Sequence, residues 1–295
     1  MPSSALLLQG AVVGLLTGGV YALLASGLTL VFGIMRVVHI SHAAFLVLAA
    51  YAVYLLDVTL GLDPLLAIPI VVPIFMLVGW AVQRVLIARL PADNFSMMSV
   101  LLTFAIAITI EGGLVAVATS GFRTVNAPYA NSSLRLGDLR LPYDQLIGFT
   151  VALVTFATIA AVLKFSRYGQ ALRATVQHPQ AAQLVGINID RVKAVGFALS
   201  LATAAVGGAV LAMILPFQPS THYEYIARLM AIIVVGGLGS IKGALYAGLL
   251  MGVLEGVVLV SIDATWGAML FYIALFATLI FRPSGFFGGR LAERF

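Results

Sequence analysis

The sequence predicts an all-α integral membrane protein, a polytopic helical bundle of 8–10 transmembrane segments with broken or re-entrant helices. Hydrophobic residues make up 62% of the 295 residues and charged residues only 9%. A soluble domain carries about 25% charged residues, so this chain cannot cover a water-facing surface. The apolar residues form long runs with short connections, whereas strands of a β-barrel would alternate polar and apolar residues. Residues 1–295 are therefore predicted to form a single transmembrane domain.

A membrane helix needs about 20 apolar residues, and eight runs approach or exceed that length. These runs are Ala5–Phe32, Ala43–Leu60, Leu65–Leu86, Met97–Thr119, Leu146–Phe165, Val192–Leu215, Leu229–Val260 and Ala268–Phe281. The first and the seventh are too long for one plain helix. Each contains glycine, so each could be broken or contain a re-entrant turn.

The basic residues predict the orientation, because cytoplasmic connections carry an excess of Lys and Arg. Ten of the sixteen basic residues flank connections that we expect to be cytoplasmic: Arg84, Arg89, Lys164, Arg167, Arg173, Arg191, Lys193, Arg282, Arg290 and Arg294. The loop 121–144 then faces outward, although it holds Arg123, Arg135 and Arg140. The central loop and the tail can both be cytoplasmic only if the seventh run enters the membrane twice or is re-entrant. The amino terminus is then outside, unless the first run is also double.

Two rows of small residues are spaced by four, which places each row on one helix face and lets two backbones approach closely. The rows are Gly10, Gly14 and Gly18, and Gly248, Gly252 and Gly256. Packing within the chain and an interface with another membrane subunit both explain this pattern.

Two short irregular segments, 33–42 and 236–243, combine glycines with polar residues beside or inside apolar runs. In transporters, discontinuous helices often line the substrate path, because half-helix ends present free backbone groups there. Ordinary turns at the membrane surface are the alternative. The candidate pathway residues are His39, Ser41, His42, Gly236, Gly237, Gly239 and Ser240.

Two carboxylates, Glu111 and Glu255, lie within apolar runs. A charge at mid-bilayer costs about 2.5–3.5 kcal/mol on insertion scales, so each should face a cavity, a partner or the protein interior. Each is either a polar element of the pathway or a protonated or hydrogen-bonded structural group. His39 and His42 have no carboxylate or cysteine near them in sequence, so we predict no metal site.

Several functions are disfavoured by the sequence. The chain has no cysteine, no GxxxxGK[ST] motif and no recognisable catalytic constellation, so we expect neither an enzyme nor a nucleotide-binding subunit. Its net charge of +5 comes from basic residues at membrane edges and in loops, which does not indicate nucleic-acid binding.

The stretch 166–193 differs from the apolar remainder of the chain. It is polar, basic and partly helical, as expected of a structured loop to which another protein docks.

Three segments resemble one family, the LivH-type permeases, which are membrane subunits of branched-chain amino-acid ABC importers. They are GLTLVFGIMRVVHISHAAFLVLAAY, RYGQALRATVQHPQAAQLVGINIDRVKAVGFALS and VVGGLGSIKGALYAGLLMGVLEG, in the family's order and across nearly the whole chain. His39 and Ser41 stand where that family commonly has Asn and Ala, and Ala43 replaces a usual Gly. Related permeases of this layout carry urea, amides or small organic acids, so those substrates are the alternative.

The resemblance implies a multi-pass protein of the bacterial inner membrane that works in a five-part importer. A second related permease completes the pore, two cytoplasmic ATPase subunits bind the ATP, and a periplasmic binding protein delivers the substrate. The family's coupling element maps onto Gln180, Ala181, Ala182, Leu184, Gly186 and Ile187. The residues agree, since Pro179 can start a helix, small Ala181 and Ala182 permit close docking, and Gly186 can end the helix.

A helix lying on the membrane surface would also explain the central stretch. Two other classes of function compete with this interpretation. An ion-coupled secondary transporter would use Glu111 and Glu255 as coupling carboxylates and would need no structured basic loop. An intramembrane enzyme would need a nucleophile or a metal-binding set, and none is visible in the sequence.

Overall fold

The computed structural model describes residues 3–91, 93–125, 127–130, 132–137 and 139–288, so Arg290 and Arg294 lie outside the described residues. The described part contains eleven α-helices, two short 3-10 helices and one two-stranded hairpin. The helices are α1 (Ser4–Met35), α2 (His42–Leu60), α3 (Pro64–Val85), α4 (Phe95–Ala118), α5 (Tyr143–Phe165), α6 (Arg167–Gln177), α7 (Pro179–Leu184), α8 (Ile189–Ile214), α9 (His222–Gly236), α10 (Ile241–Ser261) and α11 (Ala264–Phe281). The strands β1 (Ser133–Leu136) and β2 (Leu139–Pro142) pair antiparallel within the loop between α4 and α5.

Eight of the described helices are long and apolar enough to cross a membrane: α1 to α5, α8, α10 and α11. The predicted all-α membrane bundle is thereby confirmed. Helix α9 has only 15 residues, about 22 Å at 1.5 Å per residue, and is shorter than a full crossing. The eight long helices together with α9 give nine segments, and an odd number places the two termini on opposite sides.

Contacts between connections identify the two ends of the bundle. At one end, the Gln9 side chain bonds the backbone of Arg140, and the backbone of Arg123 pairs with that of Phe217. At the other end, Lys164, Arg173 and Lys242 line one cavity. The chain after α11 reaches the end of α9, where the Phe287 amide donates to the Gly236 carbonyl. The central loop and the tail therefore share the basic end, which the positive-inside rule predicts to be cytoplasmic, and the amino terminus lies at the opposite end.

Helices α1 and α8 form the core of the bundle. Leu23, Leu24 and Ala25 of α1 and Phe197 and Leu201 of α8 are fully shielded from solvent. Helices α4 and α11 lie at the periphery and have few buried residues. A helix that is apolar on all sides suits both positions, because its outer face is covered by lipid or by another membrane protein.

The first apolar run is one uninterrupted helix, so the expectation that it could be broken is wrong. Ser3 caps α1 by accepting from the Leu6 amide at 3.3 Å, and the Arg36 amide closes it on the Phe32 carbonyl at 2.8 Å. The glycines of α1 do not interrupt the helix, and three of them, Gly10, Gly14 and Gly18, face the backbone of α10.

The seventh run is broken, as predicted. Helix α9 ends at Gly236 and α10 begins at Ile241. Gly237 and Gly239 between them have φ of 96° and 84°, a region that L-residues with side chains rarely adopt. The chain thus turns between α9 and α10 without forming a long loop.

The two glycine rows pack against each other along antiparallel α1 and α10. A Cβ atom on Gly10, Gly14 or Gly18 would lie 2.5, 2.3 or 2.9 Å from the carbonyl oxygen of Gly256, Gly252 or Gly248, respectively. Those separations exclude any side chain larger than hydrogen. Of the two alternatives for this pattern, packing within the chain is therefore the one observed, and we call this contact the glycine seam.

We expect Gly14→Leu to destabilise the bundle, because the added side chain would force α1 and α10 apart. Overpacking a close contact typically costs about 1–3 kcal/mol. The thermal unfolding midpoint in detergent should fall by several degrees. Gly112→Leu is the matched control, since a Cβ there meets nothing within 4 Å. Equal shifts for the two variants would contradict a seam that depends on glycine.

Candidate functional site

The segment between α1 and α2 re-enters the bundle instead of forming an external loop. Val37, His39 and Ser41 are 0% exposed, as is His42 at the start of α2. The Ile40 amide lies 3.4 Å from the Thr103 hydroxyl of α4, and His42 approaches Ser200 of α8. Thr103 and Ser200 are about 12 and 16 Å along their helices from the cytoplasmic starts, at 1.5 Å per residue. The polar segment is therefore buried well below the helix ends.

Two histidines form the centre of this buried segment. The Ser41 hydroxyl is 3.1 Å from His39 Nδ1, and the Ser200 hydroxyl is 3.3 Å from His42 Nδ1. The His39 ring also packs on Phe197, with 4.5 Å between ring centroids. Nε2 of each imidazole has no hydrogen-bond partner among the described residues. An unpartnered buried polar atom costs about 1–3 kcal/mol. Each Nε2 atom could therefore still form a hydrogen bond within the membrane interior.

The break between α9 and α10 lies nearer the cytoplasmic end. Gly236 and Gly237 are buried, and Gly237 packs against the backbone of Gly288 in the tail. The Ser240 hydroxyl caps α10 by accepting from the Gly243 amide at 3.0 Å. Gly239 contacts Gly33 near the end of α1. The two irregular segments, 33–42 and 236–243, thus meet where Gly33 contacts Gly239, whereas His39 and His42 pack toward α8.

A cavity of about 580 Å³ opens beside this contact. Gly239 and Ser240 line it together with Gly33, and Lys164 and Lys242 supply positive charge. The apolar part of the wall comes from Leu30, Ile34, Leu163 and Leu172. Of the predicted pathway residues, these two from the α9–α10 break are the ones that border this space.

Glu255 is paired with Arg228 of α9, a residue that the sequence reasoning missed. Their side chains are 3.5 Å apart, and Arg228 also lies 3.8 Å from Glu224. The guanidinium carbon of Arg228 is 5.8 Å from the ring centroid of Phe271 in α11. Glu255 therefore joins α10 to α9 through a compensated charge.

Glu111 forms a second link to α9, at the outer end. Its carboxylate is 3.1 Å from His222 Nε2 and accepts from the Tyr223 hydroxyl at 2.8 Å. His222 was also missed, although the spacing in HYEYIAR, with Glu224 and Arg228 four apart, is that of a helix preceding the seventh run. The structure places both carboxylates on contacts that position α9 and away from the two irregular segments.

Helix α6 is fastened to the membrane helices. Burial raises the pKa of the Tyr168 phenol, which stays protonated and donates to the Val192 carbonyl of α8 at 3.0 Å. The Arg173 guanidinium donates to the Leu163 carbonyl at the end of α5. A Cβ on Gly169 would clash with that same carbonyl, so α6 lies in close contact with α5. A force on this part of the loop would reach α5 and α8 directly.

Helix α7 has the boundaries that the sequence predicts, with Pro179 at its first turn and Gly186 at a φ of 85° just after it. Ala182 is 3% exposed and faces its own chain, and its carbonyl accepts from the Ile187 amide at 3.0 Å. Gln180 and Ala181 are exposed. Leu184 and Val185 are 89% and 77% exposed, so the end of the helix presents an apolar tip to the cytoplasmic side.

Metal chemistry receives no support from the described residues, among which no three His, Asp or Glu side chains are grouped as a metal site.

Comparison with known proteins relates this chain to a family of transport proteins. The family described as "Branched-chain amino acid transport system / permease component" matches residues 10–279. The branched-chain amino acid permease LivH of Escherichia coli K12 is 28% identical over 300 aligned positions, covering 95% of both chains. BraD of Pseudomonas aeruginosa is 26% identical over the full length of both chains, and the ribose import permease RbsC of Haemophilus influenzae is 26% identical over 80% of this chain and 73% of its own.

Among solved structures, PsaBC from Streptococcus pneumoniae in complex with Fab overlaps with a TM-score of 0.47 at 14% identity. It covers 94% of this chain and 92% of that one, a similarity too low to carry an argument. The family match spans nearly the whole chain, from the first third of α1 to the last turn of α11. The chain therefore belongs to the family of branched-chain amino acid transport permease components.

Proposed function

We propose that the chain is the permease subunit of an ATP-driven importer that moves branched-chain or related small amino acids across a bacterial inner membrane. The observation that carries this proposal is the α6–α7 segment. It combines rigid attachment to α5 and α8 with an exposed apolar tip outside the membrane helices. Two adjacent apolar side chains left in water at the end of a short helix favour a protein partner that buries them.

That partner is an ATPase subunit in this proposal. Fully burying an aliphatic side chain contributes about 1.5–3 kcal/mol, so Leu184 and Val185 provide a useful anchor. Ala182 contributes from the inner side, because its small side chain lets α7 lie close to its own chain. Two ATPases, a second permease of the same family and a periplasmic binding protein complete the importer, and ATP is bound by the ATPase subunits alone.

The permease itself performs no chemistry. ATPase closure would shift α6 and α7, and with them α5 and α8, which changes the balance between inward-open and outward-open packings. His39 and His42 contact α8 from the inside, and Ser41 bonds His39, so movement of α8 would alter the surroundings of these buried polar groups. The cavity beside Gly239 and Ser240 is suited to be the cytoplasmic exit.

Coupling to an ion gradient receives less support. Such a mechanism would use Glu111 and Glu255 as carboxylates that exchange an ion. Each is instead held beside a basic residue of α9, with Glu111 next to His222 and Glu255 next to Arg228. Both contacts explain the carboxylates as structural groups that position the half-length helix.

Leu184→Asp should weaken ATPase association, because it places a charge where an apolar side chain is buried. Loss of about 1.5–3 kcal/mol corresponds to a decrease in affinity of roughly tenfold or more. Co-purification of the ATPase with the membrane complex measures the effect. Gln183→Asp is the control, since it adds the same charge at an exposed neighbour in α7. Equal losses for both variants, or no loss for either, would count against α7 as the contact.

Leucine uptake into vesicles that contain the complete complex should depend on ATP and be unaffected when ion gradients are collapsed. Labelled leucine is supplied with the binding protein, and ionophores remove the proton and sodium gradients while ATP is held constant. Glu111→Gln should retain ATP-dependent uptake if the carboxylate only positions α9. Uptake that stops with the gradient while ATP is intact would establish the ion-coupled mechanism instead.

A further inference from the structure

A second cavity lies at the cytoplasmic end and shares no lining residue with the one at Gly239. It has a volume of about 290 Å³ and is bordered by the ends of α1 and α3 and the starts of α4 and α8. Its apolar wall is formed by Met35, Ile87, Leu90 and Phe95. Sites for drug-sized molecules typically range over about 300–1,000 Å³, and this volume lies at the lower limit, which suits a smaller ligand of amino-acid size.

The polar side chains of this cavity provide both signs of charge. Asp190, in the first turn of α8, and Lys193, three residues later, both line it. They are not within ion-pair distance of each other, and the ion pairs of the described residues involve neither. A carboxylate and an ammonium group are therefore both available to a ligand that carries the opposite charges.

Gln83 adds an independent observation. Its side chain also lines the cavity and is only 1% exposed, and its Oε1 has no hydrogen-bond partner among the described residues. The start of α8 explains Asp190, since an acid in the first turn interacts favourably with the helix dipole. The helix dipole does not explain a cationic Lys193 near the same helix start, and it does not explain the buried, unpartnered amide oxygen of Gln83.

We propose that this cavity binds a zwitterionic amino acid with an apolar side chain, taken up from the cytoplasm. The ligand's carboxylate would interact with Lys193, its ammonium group with Asp190 and Gln83 Oε1, and its side chain with the apolar wall. The site lies directly after the α6–α7 segment, because α8 begins at Ile189. Occupancy would hold the start of α8 against α3 and oppose the movement by which the ATPase drives the bundle.

The cavity would thus report accumulated product and slow further import. This part rests on the proposed function, because it identifies the ligand with the imported solute. Binding itself rests only on the cavity and its side chains, so the two ideas are tested by different measurements.

Binding is measured with radiolabelled L-leucine on the purified full-length chain in detergent, without ATPase or binding protein. We expect saturable binding that Lys193→Ala and Asp190→Ala each weaken by about tenfold or more, as for loss of a hydrogen bond to a charged group. Leucinamide, which lacks the carboxylate, and N-acetyl-leucine, which lacks the ammonium group, should compete poorly. Arg191→Ala is the control, because Arg191 is an exposed neighbour in the same turn that does not line the cavity.

Gln83→Met tests the buried amide at similar side-chain volume and should also weaken binding. The proposal is overturned if leucine does not bind, if Arg191→Ala weakens binding as much as the cavity variants, or if both blocked analogues compete as well as leucine. In vesicles with the whole complex, leucine preloaded on the ATPase side should slow uptake several-fold more in the native protein than in Lys193→Ala. An absence of ATP-driven uptake altogether would refute the proposed function. The binding proposal would then still be decided by the leucine-binding measurement.

Discussion

The close backbone contact between α1 and α10 is the constraint on which the rest of the bundle depends. Inside a bilayer the hydrophobic effect does not drive helices together, so close packing of small residues is one of the main forces that does, together with interhelical hydrogen bonds. Gly14 and Gly252 approach so closely that neither position has room for a Cβ atom. This contact runs along the 32-residue α1, which is one continuous and largely buried helix. It also fixes α10, and through α10 it fixes the place where α9 must end.

Around that pair of helices lie two interrupted segments, the α9–α10 break and the segment before α2. Helix α9 spans only part of the membrane and is held in position by two side-chain contacts, Glu111 with His222 and Glu255 with Arg228. The re-entrant segment before α2 buries two imidazoles whose hydrogen bonding is incomplete among the described residues. The segment before α2 contacts α8 through His39 and His42. Helix α8 is also the helix to which α6 is bonded through Tyr168. We therefore attribute function to three parts of the molecule: the glycine seam, the two interrupted segments and the α6–α7 segment.

Sequence alone was sufficient for the features with a local or periodic signature. The apolar runs gave the long helices, the four-residue spacing gave the glycine faces, and Pro179 and Gly186 gave the limits of α7. It could not say whether the long first run was broken, because glycines that break a helix and glycines that pack against a backbone look the same in one chain. It also missed the partners of Glu111 and Glu255. His222 and Arg228 lie more than 25 residues away in sequence, and only the folded bundle brings them to those carboxylates. The inward-facing Ala182 is a similar case, since exposure on a short helix depends on what lies beneath it.

Solvent access to Ser41 during transport tests the central claim most directly. Ser41 is 0% exposed here, and the chain has no cysteine, so Ser41→Cys gives a single thiol in a silent background. The account predicts that a water-soluble thiol reagent leaves this position unmodified in the resting complex and modifies it while ATP and leucine sustain turnover. Ala209→Cys, equally buried in α8, should remain unmodified in both conditions. Undiminished transport with Ser41→Cys protected throughout would contradict the claim that this buried polar segment opens.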